Sequence, residues 1–437
     1  MAKETFVINP LEHTYDMSKQ PLTMHPSAAN WPTLNVDVFR HSIRKRCGYT
    51  SHRTLRSDAK LYGAWTFRTR DGTRHTMMLT DTDLLQVKTG TDETFQYRTP
   101  RQAYTGTKQV DEIDGVDVTF EAAAELQTDG IEDGDYFILD SDWADQQIEP
   151  DASWRKISGD PGTETTLTLA TAYENNHASP AGEDATIRKV YSVPDGDRWS
   201  VAIVDNKFCF TNRNVNVQYW SGEDGENATD LDSTNAKEAR FAIEYANRLF
   251  LADLEISGTR EPWSVQWSKE GDPTDWTDST AGSVDLLDTN DHIMGLGKVG
   301  NMLIVYKRKS IIFGRRTGVS TAPVIFPTQR NGIGLCAPWG KVSVLGSEAF
   351  LGDDDFYFIE GDQPVSIGER IRDKFSSLVS DAERRKAFAW SVPRYNKALW
   401  SVVTSEGRYV FVWDYKEKEW TSYEFWDEIT GGGQGAN

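Results

Sequence analysis

Asn247-Arg248-Leu249-Phe250-Leu251 is the stretch of sequence that decides the fold. A turn residue, then a basic residue and an apolar run predict a tight turn that leads into a buried strand. The same order returns, loosely, at four other places: Asn206-Lys207-Phe208, Asn301-Met302-Leu303-Ile304-Val305, Glu348-Ala349-Phe350-Leu351 and Asn396-Lys397-Ala398-Leu399-Trp400. Successive copies are about 41 to 54 residues apart, the spacing at which four-stranded propeller blades repeat.

The length and the aromatic content agree with a large β protein. The chain has 437 residues, with 15 Trp, 16 Tyr and 19 Phe. This is too long for one simple core, and aromatic side chains bury large areas. We therefore predict an all-β fold: a β-propeller of about six blades, with a small inserted β-barrel domain of SH3-like type and an extended N-terminal arm.

The repeat is interrupted once, which predicts the domain boundaries. An Asp71-Gly72 turn between alternating strands indicates a first hairpin, the repeat stops after Pro100, and blade-like sequence resumes at Trp199. A helical pattern runs from about Ile371 to Lys386. The predicted parts are an arm with the first propeller strands (1–60), a first blade (61–100), the inserted barrel (101–190), the remaining blades (191–428) and a flexible Gly-rich tail (429–437).

Charge and cysteine content exclude several classes of protein. There are 67 acidic and 47 basic residues, a net charge of −20, so the chain should repel free nucleic acid. Residues 101–190 hold 20 acids against 6 bases. No apolar run is long enough for a membrane helix, and the first residues do not open a signal peptide, so we expect synthesis in a cytoplasm. Cys47, Cys209 and Cys336 are interpreted as reduced residues in packed strands.

The sequence contains no strong catalytic or cofactor motif. Phosphate-binding, HExxH, CxxC and EF-hand patterns are missing, and the seven histidines are scattered. We therefore predict no catalytic residue, no cofactor and no metal site. Two acidic groups keep an alternative open: Asp353-Asp354-Asp355, and Asp278 with Asp285. Paired carboxylates can cleave glycosidic bonds, or they can cap turns.

Short basic runs are the candidate subunit contacts. The residues are Arg44, Lys45, Arg46, Lys307, Arg308, Lys309, Arg384 and Arg385. Another basic pair is Arg315-Arg316. Such runs are either solvated turns or partners of acidic surfaces on neighbouring subunits, where charge fixes register. Trp263, Trp267 and Trp276 could stack on sugars, pack into a neighbouring subunit or fill the space between blades.

A succession of segments resembles the tail nozzle, or tail hub, proteins of short-tailed bacteriophages, a group that includes the tail tubular and stabilisation-type proteins. The segments that carry the resemblance are Arg44 to Tyr49, Arg248 to Ala252, Pro262 to Ser268, Gly271 to Trp276, Ile293 to Leu296, Leu303 to Lys307, Phe350 to Tyr357 and Val412 to Trp420. The 101–190 region is separately similar to small β-barrel modules of phage tails, through Gly134 to Phe137, Trp154 to Ile157 and Thr166 to Leu169.

The resemblance implies a structural protein of the virion tail, made in the host cytoplasm and present as a homo-hexameric ring. Such a ring would bound the DNA-ejection channel, join portal-adaptor proteins and anchor tail fibres or spikes. Genomic DNA would pass without specific binding, since an acidic wall repels phosphate, and no membrane is involved. The resemblance implies no catalytic residue. Two alternatives stay open: a glycan-binding or polysaccharide-degrading β-propeller, and a receptor-binding tail protein.

Overall fold

A computed structural model describes most of the chain. The described residues are 36–39, 42–45, 60–87, 95–99, 108–121, 126–127, 131, 135–139, 155–170, 172, 183–188, 191–223, 226–231, 238–256, 258–424 and 434–435. Much of the predicted N-terminal arm and Gly-rich tail lies outside these residues, as does Cys47. The chain divides into two compact units. Unit 1 comprises 1–63, 193–218 and 230–437, and unit 2 comprises 64–192 and 219–229.

Nearly all regular elements are strands. In chain order they are β1 (Val36–Phe39), β2 (Ser42–Lys45), β3 (Leu61–Arg68), β4 (Arg74–Thr80), β5 (Leu84–Val87), β6 (Phe95–Tyr97), β7 (Gln109–Asp114), β8 (Asp117–Phe120), β9 (Tyr136–Leu139), β10 (Arg155–Lys156), β11 (Thr166–Thr168), β12 (Glu183–Arg188), β13 (Ser200–Val204), β14 (Lys207–Asn212), β15 (Val215–Trp220), β16 (Thr229–Asp230), β17 (Glu238–Tyr245), β18 (Arg248–Ile256), β19 (Thr259–Trp267), β20 (Gly282–Asp285), β21 (Ile293–Val299), β22 (Met302–Lys307), β23 (Ser310–Val319), β24 (Ala322–Asn331), β25 (Lys341–Val344), β26 (Ser347–Leu351), β27 (Phe356–Glu360), β28 (Gln363–Ser366), β29 (Phe388–Val392), β30 (Lys397–Thr404), β31 (Gly407–Asp414), β32 (Glu419–Glu424) and β33 (Gln434–Gly435).

The helices are α1 (Arg372–Leu378), α2 (Asp381–Arg384) and a short 3-10 helix (Pro393–Tyr395). The first two lie inside the segment for which the sequence predicts a helix. They are separate because Val379 has an extended backbone, and Ser380 then caps α2 by accepting a hydrogen bond from the Glu383 backbone N–H.

The small barrel of unit 2 is formed by six strands in the order β10-β9-β12-β7-β8-β11. An antiparallel bridge between Ile157 and Leu169 joins the two end strands, so this sheet closes on itself. One apolar core fills it, with Val110, Phe137 and Leu167 among its buried members. The sequence patterns indicate β9 to β12 but miss the β7–β8 hairpin, whose strands are rich in acidic residues.

The first predicted hairpin is also present. Strands β3 to β6 follow one another in an antiparallel sheet, and Gly72 takes a left-handed φ of 89° in the turn between β3 and β4. The Asp71 carboxylate accepts hydrogen bonds from the Thr73 backbone N–H and the Thr69 and Thr73 hydroxyls. Because hydrogen bonds favour the ionised form, the pKa of Asp71 falls to about 2.

Unit 1 is a series of antiparallel sheets in chain order. Three are four-stranded: β21 to β24, β25 to β28 and β29 to β32. Before them, β13 to β15 and β17 to β20 are joined through the pair Asn216–Glu238. Strands of successive sheets lie side by side: β17 contacts β21, β21 contacts β26 and β25 contacts β29. The Ala389 N–H of β29 also donates to the carbonyl of Trp339, just before β25, at 2.8 Å. The N-terminal strand β1 lies beside β32.

The five repeated segments occupy equivalent places, at the turn between the first and second strand of a sheet. Left-handed residues make these turns: Asn206, Asn247, Gly300, Leu345 with Gly346, and Asn396. In the fourth copy the turn thus precedes Glu348, which is itself a buried residue of β26. The second strands are buried almost throughout. The prediction of an all-β, propeller-type fold with a small barrel is confirmed; the blade count and domain boundaries stay predictions.

Candidate functional site

The acidic run at 353–355 follows strand β26, where a glycan-cleaving enzyme could place its carboxylates. Asp353 Oδ1 lies 2.6 Å from Arg308 Nη1, and its carbonyl oxygen accepts a hydrogen bond from Arg384 Nη1. Arg384 also lies over the ring of Phe375. Two predicted subunit-contact arginines therefore hold one loop of their own chain.

The next two acids are likewise bound within the chain. Asp354 accepts a hydrogen bond from the Tyr357 hydroxyl at 2.9 Å. Asp355 accepts from the Ser366 hydroxyl at 2.6 Å and from the Phe356 backbone N–H at 2.7 Å. Burial penalises the charged form of Asp355 and raises the pKa of its carboxyl group, against these hydrogen bonds. A raised carboxyl pKa is also what a general acid requires.

The second acidic pair caps turns and pairs strands. Asp278 accepts hydrogen bonds from the Thr280 backbone N–H and hydroxyl, at 2.9 and 2.6 Å. Asp285 accepts from the Ser264 hydroxyl at 2.5 Å across the β19–β20 pair. These are the structural contacts that Asp makes in turns and strand pairs.

The prediction that Lys307 contacts a neighbouring subunit is wrong, because this lysine is buried. Its side chain is 0% exposed, and its ammonium group lies 2.9 Å from Asp291 Oδ1. It also donates to the Leu286 carbonyl and to the carbonyl and hydroxyl of Thr289. A fully buried Lys almost always needs such partners, so Lys307 cannot present its charge to a neighbouring subunit.

Asp291 is the counter-charge of this buried site. Desolvation disfavours its ionised form, but hydrogen bonds from the Thr289 hydroxyl, the Lys307 ammonium group and the Lys309 backbone N–H outweigh it. The pKa of Asp291 is therefore lowered. The whole cluster is a link between the β20–β21 loop and the end of β22.

The other predicted contact residues divide between surface and undescribed positions. Lys309 and Arg385 are exposed, and Arg308 is largely buried. Arg44 and Lys45 lie on β2, where only the backbone is described, and Arg46 lies outside the described residues. The structure thus brings Arg308 and Arg384 together around Asp353, while Lys307 is buried elsewhere, so the members whose side chains are described do not all form one patch.

Arg248 occupies the second position of the motif on which the fold was predicted. Its side chain is 1% exposed at the start of β18. The guanidinium donates to the carbonyl oxygens of Ser268, Thr280 and Ser320 at 2.8 to 3.0 Å, and to Glu270 at 3.3 Å. Sequence reasoning missed this role, although a basic residue at the head of a buried strand was a usable signal.

A groove of about 210 Å³ lies where strands β13 and β29 begin. The guanidinium carbon of Arg198 is 3.5 Å from the ring centroid of Phe388 and 5.6 Å from that of Tyr62. Four cationic and three acidic side chains line it: Lys60, Arg198, Lys386, Arg408, Asp195, Asp197 and Glu383. Lys386 lies 3.0 Å from Asp195. This nearly balanced lining does not favour an anion over a neutral ligand.

Asp197 lines one side of the groove and is held there by a buried ion pair and a hydrogen bond. Its carboxylate lies 3.1 Å from Arg240 Nε and accepts a hydrogen bond from Trp339 Nε1 at 2.8 Å. Asp197 precedes β13 and Arg240 lies on β17 of the same sheet, whereas Trp339 precedes β25 of another sheet. The network thus ties neighbouring sheets of unit 1 together.

The three tryptophans for which the sequence left sugar stacking or packing between blades open are mostly internal. Trp267 and Trp276 are buried, and Trp267 packs against Phe250 at a ring separation of 5.7 Å. Trp263 is 37% exposed. Two of the three therefore fill the core, and Trp263 alone of this set could stack on a ligand at the surface.

The described ranges hold neither a metal cluster nor a membrane-spanning helix. No group of three His, Cys, Asp or Glu side chains there could hold a metal ion, and no described helix is long and apolar enough to cross a membrane. Cys209 and Cys336 are buried unpaired thiols, and burial raises the pKa of each to about 12. Cys209 lies on a packed strand as predicted, whereas Cys336 lies in the loop between β24 and β25.

Comparisons with known proteins show no family. No family model and no curated protein matches the chain. Among solved structures, it is similar to a catalytically inactive variant of virginiamycin B lyase from Staphylococcus aureus with quinupristin (10% identity, 82% of this chain and 95% of that one, TM-score 0.31). Others are PorZ of Porphyromonas gingivalis (13%, 85% and 39%, 0.32) and apo AztD from Citrobacter koseri (10%, 85% and 84%, 0.33). Scores this low carry no argument about function.

Proposed function

We propose that this chain is a structural subunit of a short-tailed phage tail, of the nozzle or hub type. It would form a ring of six copies around the DNA-ejection channel. One observation carries the proposal. The candidate acids Asp278, Asp285, Asp353, Asp354 and Asp355 are each engaged in a contact that holds a turn or a strand pair.

The buried ionic links support a scaffold role. Arg248 and Asp197 each connect segments that are distant in sequence, and Lys307 joins the β20–β21 loop to the end of β22. Breaking such a buried network is costly, which favours a single rigid arrangement of the sheets. A conduit subunit needs a fixed shape more than a mobile lid.

The net charge supports the same role. A charge of −20 per copy, repeated around a ring, would create a negative potential in the channel. Because DNA binding needs many Lys and Arg contacts to phosphate, such a wall would let DNA pass without holding it. Portal-adaptor proteins and fibres or spikes would then be the partners of the ring.

The second candidate is a polysaccharide-degrading propeller, because Asp353 and Asp355 lie on one loop after β26 and the pKa of Asp355 is raised. The test incubates the purified chain, and its Asp355→Asn and Asp353→Asn variants, with a panel of bacterial surface polysaccharides and measures new reducing ends. The subunit mass is measured on the same samples by light scattering after size exclusion. The proposal predicts a ring-sized mass and no cleavage. A monomer that cleaves a polysaccharide, and that loses cleavage with Asp355→Asn while staying folded, would refute it.

A further inference from the structure

We propose that the β7–β8 hairpin of one copy docks on the β23–β24 hairpin of a second copy of this chain. This inference rests on the proposed function, because a ring needs a contact that repeats from copy to copy. The first hairpin belongs to unit 2 and the second to unit 1. One carries acidic and the other basic side chains, and each also exposes apolar ones.

The acidic hairpin carries exposed carboxylates on both strands. Asp111, Glu112 and Asp114 are exposed on β7, and Asp117 is exposed on β8. Asp114 and Asp117 are direct cross-strand partners, and like charges in that position destabilise a hairpin. Positive charge from outside the hairpin would relieve this repulsion.

An apolar residue stands at the tip of the same hairpin. Val116 is 36% exposed next to Gly115, whose left-handed φ of 63° makes the turn. Ile113 is half-buried nearby. The tip therefore offers a small apolar contact surrounded by carboxylates, the pattern of an interface with a polar rim.

The basic hairpin has the complementary composition. Arg315 and Arg316 are exposed and adjacent on β23, and Arg316 also lies 3.6 Å from Glu270 of its own sheet. Ile325 is the cross-strand partner of Arg315 and is 52% exposed, and Val319 near the turn is 54% exposed. Large apolar side chains beside arginines at the surface are typical of protein contacts.

The edge of this hairpin favours docking through side chains. Strand β24 is the last strand of its sheet, and an edge strand normally invites another strand to pair with it. Pro323 and Pro327 lie on β24, and prolines on an edge strand limit such pairing. We therefore expect a partner to contact this hairpin through its exposed side chains.

A second copy is the occupant that the charges favour. Two arginines are too few to bind nucleic acid against a net charge of −20. Within this chain, the 101–190 region is the segment richest in carboxylates, with 20 acids and 6 bases. One donor and one acceptor surface per copy give a head-to-tail contact, which closes into a ring when the rotation allows it.

Cross-linking between singly substituted chains tests the contact. In a Cys47→Ser background, chains with Val116→Cys are mixed with chains with Val319→Cys and oxidised, and the products are weighed by mass spectrometry. We expect 116–319 dimers in the mixture and few in either chain alone. The matched control mixes Val116→Cys with Leu345→Cys, since Leu345 is 75% exposed in another hairpin turn.

Charge reversal gives the second readout. We expect the Glu112→Lys/Asp114→Lys and Arg315→Glu/Arg316→Glu chains each to associate about tenfold more weakly, or worse, and the chain carrying all four changes to recover. The control is a Lys416→Glu/Lys418→Glu chain, which carries a charge change of the same size in a different exposed turn and should associate normally. If rings form without the 116–319 cross-link, and if neither charge-reversal variant weakens their assembly, the proposed contact is wrong but the proposed ring is not. If the wild-type chain does not assemble and the mixed Val116→Cys and Val319→Cys chains form no 116–319 dimer, this inference is overturned together with the proposed ring.

Discussion

The Nη2 atom of Arg248 lies 3.0 Å from the carbonyl oxygen of Ser320, which is 72 residues further along the chain. This hydrogen bond joins the head of strand β18 to the turn between β23 and β24. The same guanidinium also satisfies the carbonyl oxygens of Ser268 and Thr280. Two sheets of unit 1 are thus linked through one buried side chain.

Replacing Arg248 should therefore destabilise unit 1. Arg248→Met keeps most of the volume but leaves three carbonyl oxygens without their donor, and each buried unsatisfied group costs about 1–3 kcal/mol. We expect the free energy of unfolding, measured by urea denaturation, to fall by about 3–5 kcal/mol. Arg385→Met at an exposed position is the control and should change it by less than about 0.5 kcal/mol. Equal effects of the two substitutions would contradict the link.

Lys307 and its neighbour Lys309 form a matched pair of buried and exposed lysines. Lys307→Met leaves the Asp291 carboxylate without its ammonium partner, and we expect a loss of about 3–5 kcal/mol. Lys309→Met should lose less than about 0.5 kcal/mol. Chemical denaturation of both variants at neutral pH measures the difference. A small effect at Lys307 would mean that its ion pair with Asp291 contributes little.

Acid unfolding should report the lowered pKa of Asp291. Because its folded pKa lies below the unfolded value of about 3.9, its contribution is present above that value and is lost as the pH falls through the folded pKa. Lys307→Met removes one cause of the lowering, so acid unfolding should begin at higher pH in the variant. Fluorescence-monitored acid titrations of the two chains give this comparison, and coincident curves would go against it.

Asp355 should show the opposite dependence. Its folded pKa is raised, so its contribution is present below the unfolded value and is lost as the pH rises through the folded pKa. Asp355→Asn should flatten the pH dependence of stability on the acid side of neutrality and change stability at pH 7 by about 1 kcal/mol or less. Asp373→Asn, at an exposed position, is the matched control. The test is urea denaturation repeated across the pH range, and an unaltered slope for Asp355→Asn would count against this assignment.

Gly297 is required because a side chain there would overlap the buried Glu348 carboxylate of the next sheet. Gly297→Ala should cost about 1–3 kcal/mol by overpacking. Gly162→Ala has open space around the added methyl group and serves as the control. Thermal unfolding of the two variants distinguishes them. A lowered melting temperature only for Gly162→Ala would contradict this prediction.

Local chemistry made much of this fold predictable. Asn247 and Asn396 tolerate the left-handed backbone of a tight turn, and the apolar runs after them have to be buried, so the repeated hairpins could be read from the sequence. The β7–β8 hairpin could not, because Glu112 and Asp114 make its strands look like a polar loop.

The burial and partners of charged side chains were harder to predict from the sequence. Lys307 reads as part of a solvated basic run, and its burial depends on Asp291 and on carbonyl groups of a loop that only the folded chain brings near. The partners of Arg248 are likewise set by tertiary packing. Sequence periodicity indicates which residues are apolar on one face, but it does not show which distant group satisfies a buried charge.

The most direct test of the structural role is cryo-electron microscopy of the purified assembly, with rotational symmetry determined from end-on views. We predict closed rings, with six-fold symmetry, around an open channel. Isolated single chains at high concentration, with density for a bound sugar beside Asp353 and Asp355, would contradict the account and favour a carbohydrate-active propeller.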